Sequence, residues 1–167
     1  MTIIRGRVWK YGDDVNTDVI FPGKYTYTVS KPEEMAKYAL EDLDPRFTRE
    51  VRPGDIIVAG KNWGCGSSRE QAVVCLKESK LGAVIARSFA RIYYRNGINN
   101  ALPLLTCPEA VDAIQDEETI EINLDRGKIL CEAGEFSFPS LPDVVMKIFD
   151  AGGLIAYTEM RLKEIRR

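Results

Sequence analysis

A glycine- and serine-rich segment contains the residue types of this chain that are best suited to chemistry. It reads Gly64-Cys65-Gly66-Ser67-Ser68-Arg69-Glu70 and follows an apolar run at 56–59 that is typical of a buried strand. Glycines let a backbone approach a ligand closely, and a helix predicted over 68–77 would leave its first-turn N–H groups without partners. Arg69 adds a guanidinium that matches a carboxylate or a phosphate. The segment is predicted to bind an anion, although many Gly-Ser-Ser segments only turn the chain and cap a helix.

Serine chemistry here would depend on a positive electric field, because the chain contains no histidine. Histidine is the usual base beside a nucleophilic serine, so its absence disfavours a serine hydrolase and leaves only a Ser-Lys dyad open in that class. Ser67 or Ser68 could itself accept a proton if Arg69 and the helix N-terminus stabilised the alkoxide. A P-loop is excluded, because no Gly-Lys-Ser or Gly-Lys-Thr follows the glycines.

The composition indicates one ordinary globular domain. The chain has 167 residues, of which 45% are hydrophobic, and a net charge of −2, which gives no electrostatic reason to expect nucleic acid. Its four cysteines form no C-x-x-C pair, which argues against zinc, thioredoxin-type and disulfide sites, and Cys65 alone is expected to be accessible. No apolar run is long enough to cross a membrane and no signal-peptide pattern begins the chain, so a cytoplasmic protein is expected.

The elements that must position the Gly-Ser segment predict an α/β domain with mixed sheets. The expected strands lie at 3–9, 56–59, 82–86 and 101–105, followed by a β-hairpin over 119–132. The expected helices lie at 68–77, at 87–96, at 143–151 before a charged tail, and from a capping box at 30–33 to Leu40. This spacing indicates a βαβ crossover, which places the segment at the carboxyl end of a central strand, where open α/β sheets bind ligands.

Three further segments are candidates for the site. The acidic turn at 13–18 offers oxygen ligands without the spacing of an EF-hand, so it is either functional or a hydrogen-bonded Asx turn. The segment 24–29 lacks helical spacing and is predicted to be a loop of a kind that often carries selectivity. One face of the predicted helix over 87–96 either binds an anion or a partner or is only solvated and salt-bridged; it carries Arg91, Tyr94, Arg95 and Asn96.

Four segments, taken in order, resemble one known family, the small subunit of 3-isopropylmalate dehydratase. The first comprises 12–18 with 22–25, and the others lie at 60–71, 86–96 and 151–154; together they span nearly the whole chain. The family is similar to the swivelling C-terminal domain of aconitases. The resemblance implies a single swivelling β/β/α domain with mixed sheets over residues 1–167.

The same resemblance implies one part of a heteromeric hydro-lyase of leucine biosynthesis. Such an enzyme isomerises 2-isopropylmalate to 3-isopropylmalate by dehydration and rehydration. The implied partner is a large subunit that carries a [4Fe-4S] cluster, in a heterodimer or a heterotetramer, while this chain is expected to bind no cofactor or metal itself. The isolated chain could also form a homo-oligomer. Neither nucleic acid nor a membrane is expected as a partner.

Site roles also follow from the resemblance. Ser67 is expected to be the base that removes a carbon-bound proton, and Arg69 is expected to bind a substrate carboxylate. Ser68 and Gly66 are expected to contact the substrate. Supporting roles fall to Asp18, Arg91 and Arg95.

The family's substrate choice is attributed to the loop that holds Tyr25, Thr26, Tyr27 and Thr28. Relatives that use tricarboxylates place an arginine in this loop, and this chain has none there. A carboxylate that is buried without a partner is costly, so a substrate with a smaller or apolar substituent is favoured. Isopropylmalate fits best, with citramalate and 2,3-dimethylmalate left open. A non-catalytic module that only binds a diacid is the alternative from another class.

Overall fold

Seven strands form one mixed sheet in the computed structural model, which describes residues 2–166. Met1 and Arg167, the ends of the predicted 1–167 domain, lie outside the described residues. The strands are β1 (Ile3–Lys10), β2 (Ile56–Ala59), β3 (Ala83–Ala86), β4 (Leu104–Thr106), β5 (Thr119–Asn123), β6 (Lys128–Cys131) and β7 (Gly134–Ser137). Their order is β4-β3-β2-β1-β5-β6-β7, parallel from β4 to β1 and antiparallel from β1 to β7. The predicted α/β class with a mixed sheet is confirmed.

Helices of four to twelve residues join and cover these strands. They are α1 (Thr17–Ile20), α2 (Pro32–Met35), α3 (Phe47–Glu50), α4 (Gln71–Glu78), α5 (Arg91–Asn99), α6 (Pro108–Ala113), α7 (Asp143–Ala151) and α8 (Leu154–Ile165). Short 3₁₀ turns lie at Gly23–Tyr25 and Ala36–Tyr38. Within residues 2–166, no helix combines the length and the apolar character that a membrane crossing requires.

The parallel part of the sheet is buried on both faces. Ile57 and Ala59 of β2 pack in one hydrophobic cluster, and Ile56 and Val58 pack in another on the opposite face. All four side chains are 0% exposed. A strand that is buried on both faces has a continuous apolar sequence, which explains why β2 and β3 lie where the sequence predicts them. The loops that follow β2 and β3 therefore begin at the ends of fully buried strands.

Several predicted elements are confirmed. The βαβ crossover exists as the parallel pair β2 and β3 with α4 between them in sequence. The β-hairpin over 119–132 corresponds to the antiparallel pair β5 and β6. Helix α7 covers 143–151 as predicted, and Gly152 ends it in the left-handed conformation with φ 86°.

The prediction that a helix starts at Ser68 is wrong. Helix α4 begins at Gln71, and the cap position is held by Glu70, whose side chain makes no capping hydrogen bond. The hydroxyl of Thr17 donates to the Ser67 carbonyl over 2.8 Å, so this carbonyl is held by the first residue of α1. The serines consequently lie in a loop ahead of the helix and do not cap it.

The helix predicted over 87–96 is wrong at both ends. Helix α5 starts only at Arg91, because the backbone before it pairs with the loop after β2: the Ala90 N–H donates to the Trp63 carbonyl over 2.9 Å. Gly97, expected to end the helix, lies inside it. A Cβ at this position would lie 2.3 Å from Cδ1 of Leu104, so the glycine permits close packing of α5 on the strand β4.

The capping box predicted at 30–33 is also wrong. Helix α2 begins at Pro32 with Lys31 in the cap position and no side-chain cap, and beyond Met35 it continues only as a 3₁₀ turn. Leu40, where the helix was expected to end, has φ 56°, and its N–H donates to the Ile20 carbonyl over 2.8 Å. A tertiary contact of a buried residue thus overrides the local helical pattern. The predicted charged tail forms the helix α8, and α6 and β7 have no predicted counterpart.

Candidate active site at the carboxyl ends of parallel strands

A cavity of about 280 Å³ lies beside the loops that follow β1, β2 and β3. Polar residues from these loops and from α5 line it; they include Thr17, Ser67, Ser68, Arg69, Arg91 and Asn96. Backbone of Gly64 and Gly66 and apolar groups of α5 complete the lining. The Gly-Ser segment therefore lies where the sequence predicts a ligand site, at the carboxyl end of β2.

Backbone hydrogen bonds join the three loops to one another. The Thr17 N–H donates to the Cys65 carbonyl over 2.9 Å, and the Gly64 N–H donates to the Val15 carbonyl over 2.8 Å. The Trp63 N–H donates to the Ser88 carbonyl over 3.1 Å. These bonds continue the parallel pairing beyond the ends of the strands, as two isolated β-bridges also show. The loops are thus part of the scaffold and hold Ser67 and Ser68 in a fixed frame.

The acidic turn at 13–18 contributes to this frame through side-chain hydrogen bonds. Asp13 accepts from the Lys61 N–H over 2.6 Å, and Asp14 accepts from the Asn62 side-chain amide over 2.9 Å. Asp14 and Asn62 are both left-handed, with φ of 54° and 60°. Within residues 2–166 there is no group of three or more Cys, Asp or Glu side chains that could hold a metal ion. The carboxylates of the turn therefore join two loops that are distant in sequence. A local contact of the Asx kind is made by Asn16, whose side-chain oxygen accepts from the Val19 N–H over 2.9 Å.

Glycine is required at two positions of the Gly-Ser segment. Gly64 has φ 77°, and a Cβ there would lie 2.1 Å from Cγ of Tyr93. Gly66 has φ 89°. Tyr93 is buried, its hydroxyl donates to the Ala72 carbonyl over 3.0 Å, and burial raises its pKa, so this phenol remains neutral. The Gly-Ser segment thus packs directly against the buried ring of Tyr93.

Ser67 and Ser68 are both exposed and both line the cavity. The carbonyl of Ser67 accepts from Thr17, whose side chain is buried. No pattern in the sequence marks Thr17 as a site residue. It lies near the end of the acidic turn, just before the apolar run that follows. The two serine hydroxyls are available to a ligand, while the Ser67 carbonyl is hydrogen-bonded to Thr17.

Arg69 is engaged within the protein. Its side chain is 11% exposed, one terminal nitrogen pairs with the Asp18 carboxylate, and the other donates to the Thr26 hydroxyl over 2.7 Å. The guanidinium lies 5.8 Å from the centre of the Phe21 ring. Its Nε is buried and has no hydrogen-bond partner among residues 2–166. Asp18 and Thr26, both predicted site residues, thus meet at Arg69. Gln71, which the sequence analysis does not single out, donates to the Thr26 carbonyl over 3.0 Å.

The loop that follows Pro22 is anchored by Tyr25. Its ring centre lies 4.0 Å from that of Tyr38, and its hydroxyl donates to Glu41 over 3.2 Å. Burial and this hydrogen bond raise the pKa of Tyr25. Tyr27 is 98% exposed, and Thr28 is also exposed. Among the predicted loop residues, Thr26 is therefore the one tied to the cavity, through Arg69; the roles of Tyr25, Tyr27 and Thr28 stay predictions.

The predicted face of α5 divides between the cavity and the outer surface. Arg91 and Asn96 line the cavity together with Ile92, which is 53% exposed. Tyr94 packs against Phe89 with 5.8 Å between ring centres. Arg95 is exposed and lies outside the cavity lining, so its supporting role also stays a prediction.

The cysteines behave as the sequence predicts. All four are free thiols; Cys65 is partly exposed, and Cys75, Cys107 and Cys131 are buried. Burial raises the pKa of Cys75. None of the four lines the cavity described above.

Comparisons with known proteins agree with this architecture. Residues 13–110 match the family model for the aconitase C-terminal domain. The chain is 52% identical over 155 residues to the 3-isopropylmalate dehydratase small subunit 1 of Methanopyrus kandleri, covering 92% of this chain and 91% of that one. It is 46% identical to the isopropylmalate/citramalate isomerase small subunit of Methanocaldococcus jannaschii, covering 98% of each chain. A crystal structure of 3-isopropylmalate dehydratase from that organism matches with a TM-score of 0.91, at 42% identity and over 99% of this chain and 98% of that one.

Proposed function

The chain belongs to the family of 3-isopropylmalate dehydratase small subunits, and from this premise we propose that it is the small subunit of a hydro-lyase of leucine biosynthesis. The enzyme would convert 2-isopropylmalate to 3-isopropylmalate in complex with a large subunit. The observation that carries this proposal is the pair of exposed serine hydroxyls beside Arg69 in one cavity. We propose one domain over residues 1–167 for this role, while cytoplasmic location and a homo-oligomer of the isolated chain stay predictions.

Ser67 is proposed as the base of the reaction. In the dehydration, a carbon-bound proton passes to Oγ of Ser67, the hydroxyl leaves the neighbouring carbon, and a double bond forms between the two carbons. Rehydration then adds the proton and the hydroxyl with their positions exchanged. An alkoxide needs strong electrostatic stabilisation, because each unit of pKa corresponds to about 1.4 kcal/mol. The guanidinium groups of Arg69 and Arg91 line the same cavity and are proposed to supply this positive field, the larger share coming from Arg91 because Asp18 pairs with Arg69.

Arg69 is proposed to bind a substrate carboxylate. A guanidinium has five N–H donors, and the bonds to Asp18 and Thr26 use two of them. The remaining donors suffice for a carboxylate, and the existing bonds fix the plane of the group before substrate arrives. Ser68 and the backbone of Gly66 lie beside it in the lining and are proposed as further substrate contacts.

The [4Fe-4S] cluster that the family implies is proposed to lie on the large subunit. The described part of this chain does not fit the cluster, since it contains no group of three or more Cys, Asp or Glu side chains suited to a metal. Three of its four thiols are buried and distributed over separate elements. The histidines of the active site would likewise have to come from the partner, because this chain has none.

The loop at 24–29 supports a dicarboxylate with an apolar substituent. Lys24 is the only cation of this loop, and its ammonium pairs with Glu41 at 3.3 Å and Asp42 at 3.2 Å. A third carboxylate would find no available cation in the loop, and burying it without a partner is costly. Citramalate is a second candidate substrate, because one relative at 46% identity is named an isopropylmalate/citramalate isomerase small subunit.

The test is reconstitution of the chain with a cluster-bearing large subunit under anaerobic conditions. Isopropylmalate, citramalate, 2,3-dimethylmalate and homocitrate are then assayed in parallel. The proposal predicts turnover of isopropylmalate, weaker or equal turnover of citramalate, and none of homocitrate. A complex that assembles and binds diacids but turns over none of them would contradict the proposal and favour a non-catalytic diacid-binding module.

A further inference from the structure

The two arginines that line the cavity differ in how far their charge is compensated. Arg69 is 11% exposed and pairs with the Asp18 carboxylate. Arg91 is exposed, and its guanidinium forms neither an ion pair nor a hydrogen bond with any residue between 2 and 166. The positive charge at Arg91 is therefore available to a ligand, whereas that of Arg69 is largely balanced within the protein.

No carboxylate among the described residues lines the cavity beside Arg91. The cavity is thus lined by two arginines, of which Arg69 is paired with a carboxylate and Arg91 is not. Arg91 also lies in the first turn of α5, a helix of nine residues, whose positive end adds to the field at this point. An anion in the cavity is consequently attracted most strongly toward Arg91.

We propose that Arg91 binds the second carboxylate of the substrate. This inference rests on the proposed function, in which the substrate is a hydroxy-diacid and Arg69 takes the first carboxylate. The two carboxylates would then be held by one arginine from the loop before α4 and one from the first turn of α5, with the hydroxyls of Ser67 and Ser68 beside them in the same lining. A diacid held at both ends is oriented as well as bound, since each guanidinium contacts a different end of the molecule.

Arg49 provides the matched control. It is also an exposed arginine on a helix, α3, but it does not line the cavity. The pair of variants Arg91→Gln and Arg49→Gln therefore separates a contact in the cavity from a general loss of positive surface charge. Arg91→Lys retains the charge and loses the planar fork.

The test uses the reconstituted complex at saturating large subunit and measures kcat and KM for isopropylmalate. Arg91→Gln is expected to raise KM about 10- to 100-fold with a smaller change in kcat, because a hydrogen bond to a charged group is lost from both ground and transition states. Arg91→Lys is expected to fall between this variant and the wild type. Arg49→Gln is expected to stay within about twofold of the wild type, as a solvated surface charge should.

Substrate analogues with one carboxylate replaced by an amide complete the test. The wild type should bind one of the two monoamides much more weakly than the diacid, and Arg91→Gln should no longer distinguish that monoamide from the diacid. An unchanged KM in Arg91→Gln, or an equal rise of KM in Arg49→Gln, would overturn the inference. Absence of turnover in the wild-type complex would contradict the proposed function itself, and the inference with it.

Discussion

The loops that follow β1, β2 and β3 bond to one another and line the cavity, whereas β5, β6 and β7 are joined by short turns at 124–127 and 132–133. In the parallel half of the sheet, each loop is fixed by groups that lie far away in sequence, such as the Thr17 hydroxyl on the Ser67 carbonyl. In the antiparallel half, each turn joins two strands that are adjacent in sequence, although the turn at 124–127 also has a distant partner, since the Leu124 N–H donates to the Thr2 carbonyl over 3.1 Å. The difference teaches that the site depends on three loops at once, whereas β5, β6 and β7 pair through short turns.

Two glycines, one from each half, differ in what surrounds them. Gly64 in the parallel half has φ 77°, and a Cβ there would lie 2.1 Å from the Tyr93 ring. Gly134 in the antiparallel half has φ 132°, and nothing lies within 4 Å of an added Cβ. The first glycine is required by packing and by backbone conformation together, and the second by conformation alone.

The largest expected effect is a difference in turnover between two serine variants, one in each half of the sheet. Ser67→Ala should lower turnover of the reconstituted complex by about 10³-fold, within the usual contribution of a general base, and leave assembly intact. Ser140→Ala, at an exposed serine beyond β7, should leave turnover unchanged. Steady-state assays of both variants with the same large subunit provide the comparison. Equal activity of the two variants would remove the functional distinction between the halves.

The next effect concerns stability. Gly64→Ala should destabilise the chain by about 2–4 kcal/mol, because the clash with Tyr93 adds to the strain of a left-handed alanine. Gly134→Ala should cost about 1 kcal/mol, from backbone strain alone. Urea denaturation of the three proteins measures the difference. If Gly134→Ala proved as destabilising as Gly64→Ala, packing could not be the cause.

The smallest effect compares two ion pairs of similar exposure. Asp18 is 63% exposed and pairs with Arg69, and Asp112 is 62% exposed and pairs with Arg87 outside the cavity lining. Asp18→Asn should lower kcat/KM about tenfold, because the guanidinium loses the partner that fixes its plane, while stability changes by less than about 1 kcal/mol.

Asp112→Asn should change neither kcat/KM nor the reaction's substrate preference. Parallel measurement of kcat/KM and of urea midpoints for both variants distinguishes positioning of Arg69 from general stabilisation. Identical kinetics in the two variants would show that the Asp18 pair is structural only.

What the sequence could predict depends on how far away in sequence the deciding contacts lie. The strand β2, the hairpin of β5 and β6, and α7 with its cap at Gly152 each arise from a pattern within a few residues, and each lies where predicted. The starts of α4 and α5 could not be predicted, because they are decided by partners about 20 to 50 residues away, such as Thr17 and Trp63.

The site was predictable in its residue types and less so in their contacts. The serines and Arg69 do line a cavity, since glycine, serine and arginine in one short segment already indicate an anion site. The engagement of Arg69 by Asp18 and Thr26 has no local signature, because neither residue is near it in sequence. Likewise, spacing alone does not tell which turn of α5 faces the cavity, so Arg91 and Arg95 could not be distinguished.

The most direct test of the central claim follows the proton that Ser67 is proposed to remove. Isopropylmalate labelled with deuterium on the carbon beside the hydroxyl-bearing carbon is incubated with the wild-type complex and with the Ser67→Ala complex. Loss of the label from that carbon is then measured, whether the label appears in solvent or on the neighbouring carbon of the product. The account predicts loss in the wild type and almost none in the variant, with equal assembly of both complexes. Undiminished loss in Ser67→Ala would show that another group is the base.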